Sequence, residues 1–117
     1  MANEISFTQT LQGAKAFATR KVSKSASVSM SGDDFVEGTQ LIGTSAETIG
    51  LGDIGTPGFC QVTNLDAANY VEFGPDGTTW FVKTKAGETS TFRVTSAAIY
   101  GRANSAACRV EFLVFED

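Results

Sequence analysis

The sequence contains no histidine, only two cysteines and only two prolines among 117 residues. Without histidine, Ser-His-Asp triads, Cys-His dyads and metal sites built on imidazole are excluded. No stretch of the chain approaches the roughly 20 consecutive apolar residues that a membrane-spanning helix requires. The opening segment MANEISFTQT lacks the basic and apolar regions of a signal peptide. We therefore expect a protein that is made in a cytosol and that has no membrane partner.

Cysteine is scarce, and both residues lie inside strand-like runs, Cys60 in FCQV and Cys108 in ACRVEF. In a reducing cytosol we expect two buried, reduced thiols, with a disulfide as the alternative. Two cysteines so far apart in sequence form no metal-ligand pattern, and we predict no metal and no cofactor. Dense clusters of lysine and arginine interleaved with aromatic residues are also missing, which disfavours nucleic-acid binding.

What the sequence does contain is an apolar residue at every second position through most of its length. Near the start, Ile5, Phe7 and Leu11 alternate with serine and threonine. This period of two is that of half-buried strands, and turn signals rich in glycine separate the runs about every ten residues. The sequence therefore predicts an all-β protein, a single β-sandwich of jelly-roll type with about eight to ten strands.

Three connections are predicted to be turns. Residues 66–68 are expected to join the runs GFCQVTNL and NYVEFG as a strand pair. The sequence GPDG at 74–77 predicts a proline-nucleated turn in which Gly77 is able to take positive φ. Residues 85–88 are expected to close a further hairpin between TTWFVKT and STFRVT.

The net charge of −4 is unevenly distributed, with +3 on residues 1–32 and −7 on the remainder. We divide the chain into an N-terminal strand and basic arm, residues 1–24, and a β-sandwich, residues 25–117, within one domain overall. The arm is expected to dock on an acidic neighbour or on the body of another copy, with simple solvation of its cations as the alternative. Its candidate contact residues are Lys15, Arg20, Lys21 and Lys24.

The last predicted strand has two different faces. One face consists of Cys108, Val110, Phe112 and Val114. The other begins with Arg109 and Glu111 and ends with Leu113 and Phe115. Leu113 and Phe115 are candidate contacts to another subunit, and the alternative is that the N-terminal strand of the same chain covers them.

Three further patterns have a structural interpretation that we prefer to a ligand site. GLGDIG at 50–55 has the letters of a dinucleotide fingerprint, but another strand follows it where that motif needs a helix. Trp80, Phe81 and Tyr70 would suit a sugar-binding platform, but adjacent strand residues point to opposite faces, so core packing of at least one of Trp80 and Phe81 is preferred. Four aspartates are expected to cap turns rather than to form a catalytic pair or a calcium site. They are Asp33, Asp34, Asp66 and Asp76. No catalytic residue is predicted.

Residues 58–94 carry a resemblance to a known class of proteins. An apolar strand is followed by the segment N-L-D-x-x-N-Y-V-E-F-G, which here consists of Asn64-Leu65-Asp66 and Asn69-Tyr70-Val71-Glu72-Phe73-Gly74. A K-x-x-x-G-E turn then runs from Lys83 through Gly87-Glu88. This order resembles small structural proteins of tailed bacteriophages. The closing AAIYGRANSAACRVEFLVFED is similar to the end of such proteins, so the resemblance covers about half of the chain.

The resemblance implies a non-enzymatic virion component that is made in the cytoplasm of a host bacterium. A capsid decoration protein is the leading expectation, acting as a symmetric homo-oligomer, with a trimer favoured, and binding another virion protein such as the major capsid protein. A head fibre or a tail, neck or fibre-adaptor protein is the alternative within the same class. A carbohydrate-binding attachment module is the alternative from another class.

Overall fold

Ten β-strands and no helix make up the regular structure of residues 4–117, the part of the chain that the computed structural model describes. The chain divides into two units, Met1–Met30 and Ser31–Asp117. All strand pairs are antiparallel. The all-β prediction and the predicted number of strands are therefore confirmed.

The first unit is a single hairpin of two long strands, β1 (Ile5–Lys15) and β2 (Ala18–Val28). The two strands pair in unbroken register from Ile5 opposite Val28 to Lys15 opposite Ala18. Ala16, the first of the two residues in the turn, has a positive φ of 52°. The predicted boundary after residue 24 falls inside β2, so the basic arm includes the rest of that strand.

The second unit contains the other eight strands, arranged as two four-stranded sheets. They are β3 (Phe35–Ile42), β4 (Glu47–Thr48), β5 (Pro57–Asn64), β6 (Val71–Gly74), β7 (Val82–Thr84), β8 (Thr89–Arg93), β9 (Tyr100–Ala103) and β10 (Cys108–Glu116). One sheet has the order β3-β10-β5-β8 and the other the order β4-β9-β6-β7. Of the seven connections, only β6 to β7 stays within one sheet. The two sheets form a sandwich.

Two predicted hairpins are wrong because the chain changes sheets where a return within one sheet was expected. β5 pairs with β10 and β8, whereas β6 pairs with β7 and β9. The turn at residues 85–88 is present, with Gly87 at a φ of 79°, but it connects β7 in one sheet to β8 in the other. The alternation of apolar residues shows which side of a strand faces the core. A strand in either sheet has such a side, so alternation does not show which strand lies next to it.

The turn at 74–77 is also built differently from the prediction. Gly77 is not among the described residues with positive φ. The turn is held by Asp76, whose Oδ1 accepts hydrogen bonds from the backbone N–H groups of Thr78 and Thr79 at 2.8 and 2.7 Å. Gly74 is the glycine that the turn requires, because a Cβ there would collide with the carbonyl oxygen of Thr79.

Inward-facing residues of both sheets form one hydrophobic core. It consists of Ile42, Ile49, Ile54, Cys60, Val62, Val71, Phe73, Ile99, Ala103, Cys108, Val110, Phe112 and Val114. The two cysteines are buried free thiols, as predicted. The predicted inward face of the last strand, from Cys108 to Val114, is confirmed.

Candidate assembly surfaces

The hairpin has one face of hydroxyl side chains. Cross-strand partners on this face are Ser6 and Ser27, Thr8 and Ser25, Thr10 and Ser23, Gln12 and Lys21, and Ala14 and Thr19. The hydroxyls of Thr8 and Ser25 lie 2.9 Å apart, as do those of Thr10 and Ser23. These polar groups satisfy one another across the strands, and Lys21 is the one cation among them.

The opposite side of the hairpin, which we call the arm face, combines apolar residues with three cations. Its cross-strand partners are Ile5 and Val28, Phe7 and Ala26, Gln9 and Lys24, Leu11 and Val22, Gly13 and Arg20, and Lys15 and Ala18. Three of the four predicted arm contacts, Lys15, Arg20 and Lys24, therefore share this face. Lys21 does not.

The outer half of the arm face is open to solvent. The side chain of Leu11 is 81% exposed and that of Phe17, in the turn, is entirely exposed. Lys15, Arg20 and Lys24 are exposed too. The ion pairs among residues 4–117 join Arg93 to Asp117 and Arg102 to Glu72, so no hairpin cation forms an ion pair with a described residue. The Arg20 guanidinium donates to the backbone carbonyl oxygen of Lys21 at 2.7 Å.

A second exposed surface, which we call the acidic face, is the outer side of β3 and β10. Its cross-strand partners are Phe115 and Phe35, Leu113 and Glu37, Glu111 and Thr39, and Arg109 and Leu41. The rings of Phe115 and Phe35 contact each other with centroids 6.2 Å apart. Phe35 and Leu41 are 52% and 53% exposed, whereas the predicted contacts Leu113 and Phe115 are half-buried.

The acidic face contains a shallow cleft between its two carboxylates. The cleft has a volume of about 190 Å³, and its lining residues are Glu37, Gln61, Thr63, Glu111, Phe112 and Leu113. Leu113 lies at its centre, with Glu37 opposite on β3 and Gln61 opposite on β5. Glu37 and Glu111 are both exposed. The cleft thus combines Leu113 with four polar residues, two of which are negatively charged.

The outer face of the other sheet holds Trp80 and Tyr70 of the alternative sugar platform. The preferred core packing of Trp80 or Phe81 is wrong, because Trp80 is half-buried outside the core and Phe81 is 92% exposed. The Arg102 guanidinium lies 4.5 Å from the centre of the Trp80 ring, and its Nε donates to Glu72 at 3.1 Å. Nζ of Lys83 lies 4.2 Å from the centre of the Tyr70 ring. A sugar that stacked on these ring faces would have to displace both cations.

Three of the four predicted turn aspartates accept backbone hydrogen bonds. Oδ2 of Asp66 accepts from Ala68 and Asn69 at 3.0 and 2.7 Å, and Asp34 accepts from Phe35 at 2.8 Å. These amide donors, together with those that bond Asp76, hold the pKa values of Asp66 and Asp76 below the usual range. The preferred interpretation as turn caps is confirmed for Asp66 and Asp76, whereas Asp34 bonds the N–H of the next residue at the start of β3 and Asp33 donates its own N–H to Glu116. Residues 50–55 run into β5 rather than into a helix, as expected for a loop.

Glu116 is a structural carboxylate that the sequence analysis missed. Its Oε2 accepts from the N–H of Gly55 at 2.7 Å and its Oε1 from the N–H of Asp33 at 3.2 Å. These hydrogen bonds hold the pKa of Glu116 below its usual range. The sequence offered one indication of this role. Alternation after Val114 places Glu116 on the inward side of β10, and a carboxylate there needs hydrogen-bond donors.

Two structural features and the comparisons with known proteins bear on other kinds of function. No helix among residues 4–117 is long and apolar enough to cross a membrane. In the same residues, no three cysteine, aspartate or glutamate side chains come together as a metal site requires. No known family model, no curated protein and no solved structure matches this chain.

Proposed function

We propose that this chain is a non-enzymatic structural protein of a tailed-bacteriophage particle, a capsid decoration protein that acts as a symmetric homo-oligomer. The observation that carries the proposal is the outer half of the arm face, where Leu11 and the cations Lys15, Arg20 and Lys24 are exposed in a single chain. A two-stranded hairpin alone is at best marginally stable in water. A long hairpin that exposes an apolar residue among cations near its turn is suited to a protein that is completed by its neighbours.

The resemblance of residues 58–94 to small structural proteins of tailed phages supports the virion location. The strand order supports a further inference, that the sandwich is a jelly roll, since eight strands pass between two sheets at six of seven connections. Proteins of this architecture leave their outer sheet faces free to contact neighbours.

Attachment in this proposal combines the arm with the symmetry of the oligomer. The cationic hairpin contacts either the body of another copy or a neighbouring virion protein, with the major capsid protein as the expected partner of the oligomer, and a trimer is the expected oligomer. Several arms that act together raise the strength of attachment, because each later arm binds at high effective concentration. Synthesis takes place in the cytoplasm of the host bacterium.

Copy number on the particle is the direct test. Quantitative mass spectrometry of purified particles is expected to find this chain in numbers comparable to the major capsid protein. A few copies per particle would instead identify a tail, neck or fibre-adaptor component. Complete absence from particles would refute the proposal.

Removal of the hairpin tests the role of the arm. A chain that begins at Ser31 is expected to stay folded but to lose binding to particles that lack this protein, measured by co-sedimentation. The intact chain with Lys21→Glu is the control, because that side chain lies on the hydroxyl face. Undiminished binding of the shortened chain would show that the arm does not mediate attachment.

A further inference from the structure

We propose that the arm face of one copy docks on the acidic face of a second copy. The inference rests on the proposed function in one respect: of the two partners proposed there for the hairpin, it assigns the arm face to another copy and leaves the major capsid protein to contact the assembled oligomer. The contact joins two different surfaces, so it is heterologous, and repetition around an axis closes a ring.

Charge is the first argument for this pairing. The arm face carries Lys15, Arg20 and Lys24, and the one acidic residue described in this unit, Glu4, accepts a hydrogen bond from the N–H of Met30 at 3.1 Å. The acidic face carries Glu37 and Glu111 beside its apolar centre, and Arg109, the next same-face residue of β10, is its one cation, so negative charge is in excess on this face. Opposite potentials on two faces steer association and fix its register.

The order of side chains on the two surfaces is the second argument. On β2, Val22 lies between Arg20 and Lys24, and Leu11 of β1 is its cross-strand partner. Same-face neighbours along a strand are about 7 Å apart. The arm face therefore presents a cation, an apolar pair and a cation in a row.

The acidic face also places two charges around an apolar residue. Leu113 has Glu111 as its same-face neighbour along β10 and Glu37 as its cross-strand partner on β3, so the two carboxylates meet at a corner and not in a row. Docking places the apolar pair of the hairpin on Leu113, and the long side chains of Arg20 and Lys24 then reach towards the two carboxylates. The cleft of about 190 Å³ is comparable to cavities that hold a benzene ring, so it has room for one apolar side chain.

Exposure favours a second copy as the occupant. Leu11 and Leu41 are 81% and 53% exposed within one chain, so parts of both faces remain uncovered in it. Every copy has one arm face and one acidic face. In a ring of identical chains, each arm face can therefore cover the acidic face of the next copy. Covering them removes apolar surface from water on both partners.

Charge reversal on the hairpin tests the contact. Sedimentation velocity of the intact chain over a concentration series is expected to show a concentration-dependent oligomer. Lys24→Glu is expected to weaken association about tenfold or more, since a like charge then meets the acidic face. Lys21→Glu makes the same charge change on the hydroxyl face and is expected to leave association unchanged. Equal effects of the two variants would overturn the proposal.

Charge reversal on both partners supplies the rescue. Glu37→Lys with Glu111→Lys is expected to abolish association, whereas Asp53→Lys, in the loop before β5, is the matched control and is expected to have no effect. One chain that carries Arg20→Glu, Lys24→Glu, Glu37→Lys and Glu111→Lys is expected to associate again. Failure of the rescue in a chain with an unchanged circular dichroism spectrum would overturn the proposal.

The outcomes separate this inference from the proposed function. A chain that is abundant on particles but monomeric in solution, or that associates regardless of Lys24, refutes the docking of arm on acidic face and leaves the virion role standing. A chain that is absent from particles but passes the rescue refutes the virion role and leaves the docking contact standing.

Discussion

At the scale of single residues, Asn64 shows how a polar side chain is accommodated in the core. It is 1% exposed, and its Nδ2 donates to the carbonyl oxygens of Asn69 and Thr84 at 2.8 and 3.0 Å. Its Oδ1 accepts from the N–H of Asp66 at 2.9 Å. Among the described residues, no buried side-chain nitrogen or oxygen lacks a partner. The amide thus ties the end of β5 to β7 and to the following loop.

Replacement of this amide by an isosteric carboxylate is expected to be severe. In Asn64→Asp the donor is lost and a negative charge faces two carbonyl oxygens, so we expect a loss of about 3 kcal/mol or more in the free energy of unfolding. Urea denaturation measures it. Asn104→Asp is the control. Oδ1 of Asn104 accepts a hydrogen bond from the N–H of Tyr70 at 3.0 Å, and a carboxylate oxygen can accept the same bond. Similar losses in both variants would contradict this account.

The two thiols are expected to be chemically silent in the folded protein. Burial raises the pKa of Cys60 from 9.0 to about 12, and burial, followed by the negative charge of Asp66, raises the pKa of Cys108. A thiol-disulfide exchange reagent should react with neither cysteine until the protein is unfolded. The stability that the neutral thiols provide is present below pH 9 and is lost as the pH rises towards 12. Rapid labelling of native protein would show that the core opens.

At the scale of elements, the turn of the hairpin contains a local strain. Ala16 has a φ of 52°, a region that costs a residue with a Cβ about 1 kcal/mol relative to glycine. Ala16→Gly is therefore expected to slow hydrogen exchange at the paired amides of β1 and β2 about fivefold. Ala18→Gly, in β2, is the control and should accelerate exchange. Slower exchange in both variants would indicate that backbone strain at Ala16 is not the cause.

The loops of the sandwich depend on ionised carboxylates. Backbone N–H groups lower the pKa values of Asp66 and Asp76 from 3.8 and of Glu116 from 4.5. Because the folded-state pKa is depressed, this stability is present above those ordinary values and is lost as the pH falls below them. Urea denaturation at a series of acidic pH values should show the decline. Asp76→Asn keeps the acceptor but cannot ionise, so its stability should depend less steeply on pH; an unchanged slope would refute this assignment.

At the scale of the whole molecule, the core belongs to one unit. All the residues of the core cluster lie between Ile42 and Val114, and none comes from the hairpin. A chain of residues 31–117 is therefore expected to keep its β-type circular dichroism spectrum and a cooperative thermal transition within a few degrees of the intact protein. Loss of cooperativity would show that the hairpin contributes to the folding of the sandwich.

The sequence supported some predictions because they depend on side-chain direction alone. Alternation placed Val110, Phe112 and Val114 on the inner face of the last strand, and it grouped Ile5 with Leu11 on one side of β1. Asp66 and Asp76 were assigned to turns because a short carboxylate beside glycine or at a chain reversal bonds nearby amides. All of these are properties of neighbouring residues.

The wrong predictions concern partners that are distant in sequence. The segments of β5 and β6 were expected to pair, and so were those of β7 and β8, yet each pair is divided between the two sheets. Backbone hydrogen bonds between strands are the same for any two strands, so local sequence does not identify the neighbour. The competition is decided by which arrangement buries the inward faces together, as Phe73 and Val62 do in one core.

The sequence by itself determined that the chain forms strands, which side chains of each strand share a face, and that positive charge collects near its start. Only the tertiary structure decided that Lys15 and Lys24, on different strands, share one side of the hairpin and that Glu37 and Glu111, far apart in the chain, flank one cleft. The physical reason is that a side chain's direction follows from its own backbone, whereas its neighbours follow from how all the strands pack at once.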